Sequence, residues 1–188
     1  MTHVPPTANR LLVKRDGKAI TSKVPKPIVL VDTREQDPFS FARFKNWIAD
    51  ERVATLQTGD YTVEGLETVV TLERKNLTDL ISTLMHNRAR FWRECERMQA
   101  FKHRAILVEA SYSDVKSPYT HLGFTAAHPN GVAGTLDALE AKFGIQVIYT
   151  SQIRDLAEEK AASWLSKHFT YHWLESNGLG RILQDDDI

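Results

Sequence analysis

The chain contains 188 residues, 42% of them hydrophobic, so it is long enough for one domain whose core needs no disulfide to fold. Its single cysteine excludes a disulfide scaffold. The absence of a secretory signal and of any run of roughly 18 apolar residues excludes a membrane protein and predicts a cytoplasmic, intracellular one. The 24 basic and 24 acidic residues cancel, which argues against a protein held on nucleic acid by bulk charge alone.

A basic segment opens the chain. Residues 1–26 carry six basic residues and one acidic residue, Asp16, which leaves a net charge of +5. Prolines at positions 5, 6 and 25 make this segment a poor helix or strand interior. We therefore expect residues 1–26 to form a flexible basic N-terminal arm, with at most a short strand over residues 11–13.

The chain from residue 27 to residue 170 alternates short apolar runs with helical periodicity. The runs predict strands at residues 28–32, 52–57, 61–64, 68–73, 104–109 and 145–149. Apolar residues spaced by three and four predict helices at residues 41–50, 77–84, 89–101, 134–143 and 153–169. This alternation predicts an α/β fold with a central mixed β-sheet flanked by helices.

Charge is separated along the chain although the total is zero. Residues 73–104 carry eight basic and four acidic residues, whereas residues 151–188 carry seven acidic and four basic ones. Residues 171–188, which end in three aspartates and an isoleucine, are predicted to form a short acidic C-terminal tail. A basic surface can therefore exist locally despite formal neutrality.

Acidic residues interrupt the apolar pattern at the ends of predicted strands. Asp32 ends the first of these strands, and Glu35 follows it by three residues. Asp60 opens a predicted hairpin, and Glu73 closes it with Lys75 two residues later. Taken singly, such acids are often capping residues, and Glu35 also fits an ion pair with a nearby arginine. Together they predict one acidic cluster at the sheet.

The predicted hairpin register brings two of these acids close together. With a turn at Gly65–Leu66, Asp60 lies opposite Thr71, and Glu73 becomes its diagonal neighbour on the same face. Such diagonal neighbours lie about 7–8 Å apart at Cα, which allows two carboxylates to reach one cation.

Converging carboxylates repel one another strongly, and a hard divalent cation with oxygen ligands removes that cost. We therefore expect Mg²⁺ or Mn²⁺ at this cluster. A carboxylate pair followed by Glu-x-Lys is typical of metal-dependent phosphodiesterases, in which the metal lowers the pKa of a bound water and the lysine orients it. Strand alternation places Lys75 on the Glu73 side and Arg74 on the opposite side.

Five linked segments resemble the nuclease domain of the XPF family of structure-specific endonucleases. They are VDTRE at 31–35, LQTGDY at 56–61, LERKNLTDLISTL at 72–84, Arg88, and AILVEA at 105–110. The family signature is GD followed at a variable distance by ERK-x3-D, and here it reads Gly59-Asp60, Glu73-Arg74-Lys75 and Asp79. The resemblance is specific over residues 27–110, weaker to residue 170, and implies a restriction-endonuclease-like core.

The resemblance also implies roles for individual residues. The expected metal ligands are Asp32, Asp60 and Glu73. Glu35 joins them in the catalytic cluster, and Lys75 orients the attacking water. Arg74 and Asp79 are expected to hold the site residues in position or to lie in the shell of residues around the metal ligands. The residues expected to approach the nucleic acid are Arg34, Arg88, Arg90 and Arg93.

The predicted function is therefore Mg²⁺-dependent hydrolysis of DNA phosphodiester bonds at branched, flapped or fork-like structures, in repair, recombination or replication. Family members usually carry a tandem helix-hairpin-helix module, and only 18 residues follow Thr170. We therefore expect a chain without that module, from a prokaryotic or viral source, that acts as a homodimer or with a partner protein supplying DNA binding. Two alternatives stay open: a non-catalytic DNA-binding or scaffold subunit, and a nuclease for RNA or unstructured DNA.

Three further patterns are given structural interpretations. His168 and His172 have the i, i+4 spacing of a transition-metal pair, but the sequence offers no third ligand. The segment HPNGVAG at 128–134 lacks the lysine of a P-loop and is predicted to be a turn before a helix. Cys95 is predicted to be a small hydrophobic residue of the core.

Overall fold

The structure is a computed structural model that describes residues 10–182. In this part of the chain the strands are β1 Arg10–Arg15, β2 Lys18–Lys23, β3 Ile28–Asp32, β4 Asp50–Ala54, β5 Tyr61–Val63, β6 Val70–Asn76, β7 His103–Glu109, β8 Gln146–Tyr149 and β9 Gly180–Arg181. The α-helices are α1 Leu77–His86, α2 Arg88–Met98, α3 Tyr112–Val115, α4 Pro129–Phe143 and α5 Arg154–Ser176. No helix within these residues is long and apolar enough to cross a membrane.

Six of the strands form a central mixed sheet in the order β4-β3-β5-β6-β7-β8. The pairs β3–β4, β6–β7 and β7–β8 are parallel, whereas β5 runs antiparallel to both of its neighbours. Helices cover both faces of this sheet. The predicted α/β fold with a central mixed sheet flanked by helices is therefore confirmed.

Strand alternation divides the core between the two faces of the sheet. In β7, Ala105 and Leu107 point into one apolar cluster, whereas Ile106 and Val108 point into the other. Helix α5 packs on the first face, and helices α1, α2 and α4 pack on the second. Both faces of β7 are thus buried, which explains why its sequence is almost continuously apolar. Cys95 lies in the second cluster, as predicted.

Two predicted helix boundaries differ from the structure. Residues 41–50 form only a short 3₁₀ helix, Ala42–Phe44, because β4 must begin at Asp50 to pair in parallel with β3. The segment at 128–134 is not a turn, since α4 begins at Pro129 with His128 as its N-cap. Proline suits the first turn of a helix because its missing N–H has no intrahelical partner there.

The expectation of a flexible N-terminal arm is wrong for residues 10–23. Strands β1 and β2 pair along their full lengths, from Arg10 opposite Lys23 to Arg15 opposite Lys18. Asp16 and Gly17 connect them with φ values of 49° and 78°, the conformation that favours Asp-Gly in tight hairpin turns. The helix-breaking prolines 25 and 27 follow this hairpin, and prolines 5 and 6 lie outside the described residues.

The C-terminal part of the described chain is also folded. Helix α5 continues to Ser176, and β9 then pairs with β1 through Val13–Arg181 and Lys14–Gly180. The expected tail at 171–188 is therefore helix and strand as far as Arg181, because apolar Leu174 and Leu179 are buried against Val13. The three aspartates of the tail lie outside the described residues.

Candidate active site

The predicted acidic cluster lies on three adjacent strands at the centre of the sheet. Asp32 ends β3, Asp60 directly precedes β5, and Glu73 and Lys75 lie on β6. The predicted register was wrong by two residues, because Tyr61 pairs with Leu72. The connection between the strands is wider than a two-residue turn, with Leu66 N–H bonded to Val63 and Val70 N–H bonded to Leu66. The shift brings Asp60 beside Glu73 rather than diagonal to it.

Gly59 sets the position of Asp60. Its φ is +81°, and a Cβ at this residue would lie 2.2 Å from Oγ1 of Thr71. The same threonine donates a hydrogen bond to the Thr58 carbonyl over 3.0 Å. The backbone of residues 58 and 59 therefore crosses directly against β6. The Asp60 N–H then donates to the Leu72 carbonyl over 2.9 Å. Only glycine fits this crossing, which explains the Gly-Asp pair of the signature.

Asp60 and Glu73 form a carboxylate pair in which Glu73 is buried and Asp60 is half-buried. Burial raises the pKa of Asp60 above its usual value, although the hydrogen bond from the Arg74 N–H, 2.7 Å from Oδ2, opposes this. Burial also raises the pKa of Glu73, and the Asp60 charge raises it further. Glu73 is only 3% exposed. Two adjacent carboxylates with raised pKa values are the electrostatic condition that a bound cation relieves.

Lys75 supplies positive charge on the same face of β6. Its ammonium pairs with Oε1 of Glu73 and lies 5.8 Å from the ring centre of Phe91. Burial lowers the pKa of Lys75, but Glu73 outweighs burial and raises the pKa to about 12. Lys75 is therefore a charged, sequestered ammonium next to the carboxylate pair, as strand alternation predicts.

The Arg74 side chain lies on the opposite side of β6 and forms ion pairs with two acidic side chains. Its Nε donates to Glu109 over 2.6 Å, and its Nη1 donates to Glu35 over 3.2 Å. The guanidinium carbon lies 4.4 Å from the ring centre of Phe39. Glu35 thus pairs with Arg74, while Arg43 pairs with Glu158 and Asp155.

The Asp32 carboxylate accepts most of its hydrogen bonds from Arg34, two residues later in the chain. Oδ1 accepts the N–H and Nε of Arg34 over 2.8 and 2.6 Å, and Oδ2 accepts Nη2 of Arg34 and the Leu56 N–H over 3.0 and 2.7 Å. Burial alone would raise the pKa of Asp32, but these hydrogen bonds outweigh it and hold the pKa below its usual range. Four donors fill the acceptor positions of this carboxylate.

Asp79 caps a helix at the end of β6. Its N–H donates to Oδ1 of Asn76 over 2.8 Å, and its carboxylate accepts the Asn76 amide over 2.6 Å. The side chain is exposed and has no hydrogen bond to Asp60, Glu73 or Lys75. Its structural position is therefore that of a reciprocal N-cap, which fixes where β6 ends and α1 begins.

Helix α2 carries three exposed arginines that sequence analysis assigned to nucleic-acid contacts. Arg88, Arg90 and Arg93 are all exposed. Nη2 of Arg88 donates to Oγ1 of Thr135 over 3.3 Å, so this arginine is also tied to α4. Arg34, the fourth predicted contact, has a side chain that is 67% exposed even though it pairs with Asp32. All four guanidinium groups are accessible at the surface.

A cavity of about 200 Å³ lies between Lys75 and helices α1 and α2. Its lining includes Lys75, Arg90 and Glu94. The negative charge of Glu94 contributes to the raised pKa values of Asp60 and Glu73. Sequence reasoning missed Glu94, although its position four residues after Arg90 places both on one face of α2. Glu109 was missed too, although it ends a buried strand next to β6 in the same way that Asp32 ends β3.

Comparison with known proteins decides the family. The ERCC4 domain family matches residues 31–161, which is most of the chain. The chain belongs to the ERCC4 domain family. This agrees with the resemblance to XPF-type nuclease domains, and the predicted family is confirmed.

Solved structures similar to this ERCC4 domain include XPF from Aeropyrum pernix. It aligns with 80% of this chain and 68% of its own chain, with a TM-score of 0.59 and 19% identity. XPF from Aeropyrum pernix in complex with DNA aligns with 86% of this chain and 70% of its own, with a TM-score of 0.57 and 18% identity. The predicted restriction-endonuclease-like nuclease fold is therefore confirmed.

A curated relative of this ERCC4 domain is a putative ATP-dependent RNA helicase from Methanocaldococcus jannaschii. It is 25% identical over 138 residues, which cover 72% of this chain and 15% of the relative. The chain therefore spans about a seventh of the length of this relative.

The residues of this ERCC4 domain fit a small divalent cation. Oδ1 of Asp60 and Oε2 of Glu73 accept no hydrogen bond from residues 10–182. No group of three histidine, cysteine or carboxylate side chains in that range is arranged to hold a metal. Mg²⁺ is commonly bound through one or two carboxylates together with water and phosphate oxygens, so the pair is sufficient.

Proposed function

We propose that this ERCC4 domain is a Mg²⁺-dependent endonuclease, which also accepts Mn²⁺ and hydrolyses DNA phosphodiester bonds at branched, flapped or fork-like structures. The observation that carries the proposal is the pairing of half-buried Asp60 with buried Glu73, with the Lys75 ammonium beside them. A DNA phosphate is an anion that approaches such a site only when positive charge balances the carboxylates.

Asp60 and Glu73 would hold the cation through the two oxygens that accept no hydrogen bond. When bound, the cation neutralises charge on the phosphate and lowers the pKa of a coordinated water. Lys75 keeps one oxygen of Glu73 occupied and thereby directs the other oxygen toward the cation. We assign Lys75 to orienting the attacking water, because its ammonium is charged and held beside Glu73.

Asp32 contributes to the same cation in this proposal after an exchange of partners. Its carboxylate is filled by Arg34 and the Leu56 N–H. Arg34 is largely exposed and is therefore able to turn toward a DNA phosphate, which releases two acceptor positions of Asp32. DNA binding and completion of the metal site are coupled in this way. Replacing Arg34 with Ala should then strengthen Mg²⁺ binding without DNA and weaken DNA binding.

The surrounding charges support DNA as the substrate. Three exposed arginines of α2, Arg88, Arg90 and Arg93, offer positive charge to a phosphate backbone, and Arg90 lines the same cavity as Lys75. Net neutrality of the chain implies that binding is weak without metal and sensitive to salt. We further propose that a second copy or a partner protein supplies the contacts that distinguish a junction from plain duplex DNA.

A cleavage assay on end-labelled duplex, flap and fork DNA tests this function. With Mg²⁺ or Mn²⁺ the wild-type protein should nick a branched substrate, and chelation should abolish the nicking. Asp60→Asn and Glu73→Gln should each reduce the rate by at least about 100-fold, the scale of losing a catalytic metal's support. Glu64→Gln, which removes an exposed carboxylate paired with Arg52, is the matched control and should leave the rate unchanged.

The same assay separates the alternatives. Binding of branched DNA without nicking, at any metal concentration, would establish a non-catalytic DNA-binding subunit instead. Preferential cleavage of RNA or of unstructured single strands would replace the proposed substrate. Equal nicking by the wild type and by Asp60→Asn would overturn the site itself.

A further inference from the structure

The hairpin formed by β1, β2 and their turn, residues 10–23, has two unlike faces. This segment is called the basic hairpin below. Val13 is fully buried and packs with Leu174 and Leu179, so one face covers the C-terminal end of α5. Because strand side chains alternate, Arg10 and Lys14 point to the other face, and the pairing places Lys23 opposite Arg10 on that same face.

The strand pairing of the basic hairpin places basic residues directly opposite one another. Arg10 lies directly opposite Lys23, and Arg15 lies directly opposite Lys18. Like charges in directly opposed positions of an antiparallel pair destabilise a sheet. All four side chains and that of Lys14 are exposed, and none of the five forms an ion pair with an acid in residues 10–182. Arg10, Lys14 and Lys23 share the face turned away from α5, whereas Arg15 and Lys18 lie on the Val13 side by the same alternation. The hairpin therefore presents, on one face, three cations that lack neutralising partners within the described fold.

Helix α5 connects the basic hairpin to the side of β6 that carries the Arg74 guanidinium. At its N-terminal end, α5 places Arg154 against the carbonyls of Asp37 and Pro38, and the Asp37 carbonyl also accepts a hydrogen bond from Arg74. At its other end, Leu174 packs on the hairpin. Twenty residues of α-helix separate Arg154 and Leu174, which corresponds to about 30 Å. The basic hairpin is therefore a surface separate from the carboxylate pair.

We propose that the basic hairpin binds the phosphate backbone of a duplex DNA arm, at a surface separate from the carboxylate pair. The proposal rests on the proposed function, since it places a second contact on the same DNA. Duplex DNA is the occupant that the observations favour, because it presents a dense row of anions to an unneutralised row of cations. Neutralisation by phosphates would also remove the repulsion between the opposed pairs.

The test compares a triple variant, Arg10→Gln, Lys14→Gln and Lys23→Gln, which removes the three cations of the face turned away from α5, with the wild-type protein. Binding to a labelled fork whose duplex arm has 30 base pairs is measured without metal between 50 and 200 mM salt. The triple variant should bind at least tenfold more weakly at 100 mM salt. The slope of log K against log salt should become shallower by about 2 to 3, because each phosphate contact contributes about 0.9.

Two controls make the result specific. A matched variant that removes three scattered exposed lysines, Lys45→Gln, Lys116→Gln and Lys160→Gln, should keep most of the wild-type affinity and slope. Replacing Lys14 and Lys23 with arginine should preserve both quantities, because arginine keeps the charge.

The failure of this inference is distinguishable from failure of the proposed function. If the wild type nicks DNA while the glutamine variant keeps the wild-type slope, the hairpin does not bind DNA and only this inference falls. If the glutamine variant melts at a lower temperature than the wild type, the cations stabilise the fold rather than await a ligand, which also overturns it. An unchanged or higher melting temperature together with the shallower slope supports the inference.

Discussion

The backbone N–H of Arg74 donates a hydrogen bond to Oδ2 of Asp60 over 2.7 Å. This bond joins the Gly-Asp half of the signature to the Glu-Arg-Lys half without using the arginine side chain. The guanidinium is therefore available on the other side of β6, where it holds Glu35 and Glu109. Arg74 thus binds one carboxylate of the candidate site, Asp60, through its backbone and two further carboxylates, Glu35 and Glu109, through its side chain.

Replacing Gly59 with Ala should destabilise the protein more than the same change at Gly65. Both glycines have φ of +81°, so alanine bears the left-handed backbone cost of about 1–2 kcal/mol at each position. Only at Gly59 does the new Cβ collide, at 2.2 Å from Oγ1 of Thr71. We expect Gly59→Ala to lose about 3 kcal/mol or more in urea unfolding, since overpacking adds to the backbone cost. Equal losses for the two variants would contradict the close crossing.

Replacing Asp60 with Asn should stabilise the protein at neutral pH while abolishing nicking. Burial raises the folded-state pKa of Asp60 to about 6, above the unfolded value near 4. Its stabilising contribution is therefore complete below pH 4 and is lost as the pH rises through 6. The variant should unfold at about the wild-type free energy at pH 4 and should exceed it by about 2 kcal/mol at pH 7.5.

Thermal and urea unfolding between pH 4 and pH 8 measure this gap. The control is Asp50→Asn, which removes an exposed carboxylate from β4 and should show no growing gap. Millimolar Mg²⁺ should raise the melting temperature of the wild type but not of Asp60→Asn. A gap that shrinks as the pH rises would show that the Asp60 carboxylate is not under repulsion in the folded protein.

Glu94→Gln should shift the pH dependence of nicking. The Glu94 charge contributes to the raised pKa values of Asp60 and Glu73. Removing it should move the acid limb of the pH–rate profile to lower pH by about half a unit, a weak Coulomb effect across a partly solvated cavity. Glu96→Gln changes an exposed residue of the same helix and should leave the profile in place. Identical profiles for all three proteins would remove Glu94 from the site.

His168→Phe should lose less unfolding free energy than the wild type when the pH falls into the mildly acidic range. The ring of His168 lies 4.4 Å from His103 and 4.2 Å from Trp164, centre to centre. Burial, and secondarily the neighbouring His103, lower the pKa of His168 to about 4. The neutral ring therefore stabilises the fold fully above pH 6.5, and this contribution is lost as the pH falls toward 4.

Urea unfolding at pH 7 and pH 4.5 tests the histidine prediction. The wild type should lose about 1–2 kcal/mol more than His168→Phe over this range, a value reduced for partial solvent exposure. His86→Gln, an exposed histidine at the end of α1, is the control and should behave as the wild type. A larger acid loss in His168→Phe would contradict burial of the neutral ring.

The central sheet and the linked motifs were predictable because short-range patterns determine them. The apolar runs predicted β3 and β7, and the Gly-Asp and Glu-x-Lys spacing predicted the carboxylate pair. The register between β5 and β6 was not predictable, because a wide connection, rather than a two-residue turn at Gly65, joins the strands.

Long-range contacts account for the other differences. The partners of Arg74 and Asp32 depend on which strand ends meet, and sequence spacing does not state this. Glu94 reaches the site only because α2 packs beside β6. The hairpin at residues 10–23 was not predicted. Asp16-Gly17 is a strong turn signal, but the prolines on either side of the hairpin disfavour regular structure.

The pairing of β1 with β9 has a consequence for how the chain is connected. The Ile182 N–H donates to the Leu12 carbonyl over 2.9 Å, so the two ends of the described polypeptide are neighbours in one small sheet. The described part is therefore nearly a closed ring. A short peptide between residues 10 and 182 would complete that ring, and new termini could be opened in the exposed loop after α3 without cutting any strand that carries the carboxylate pair.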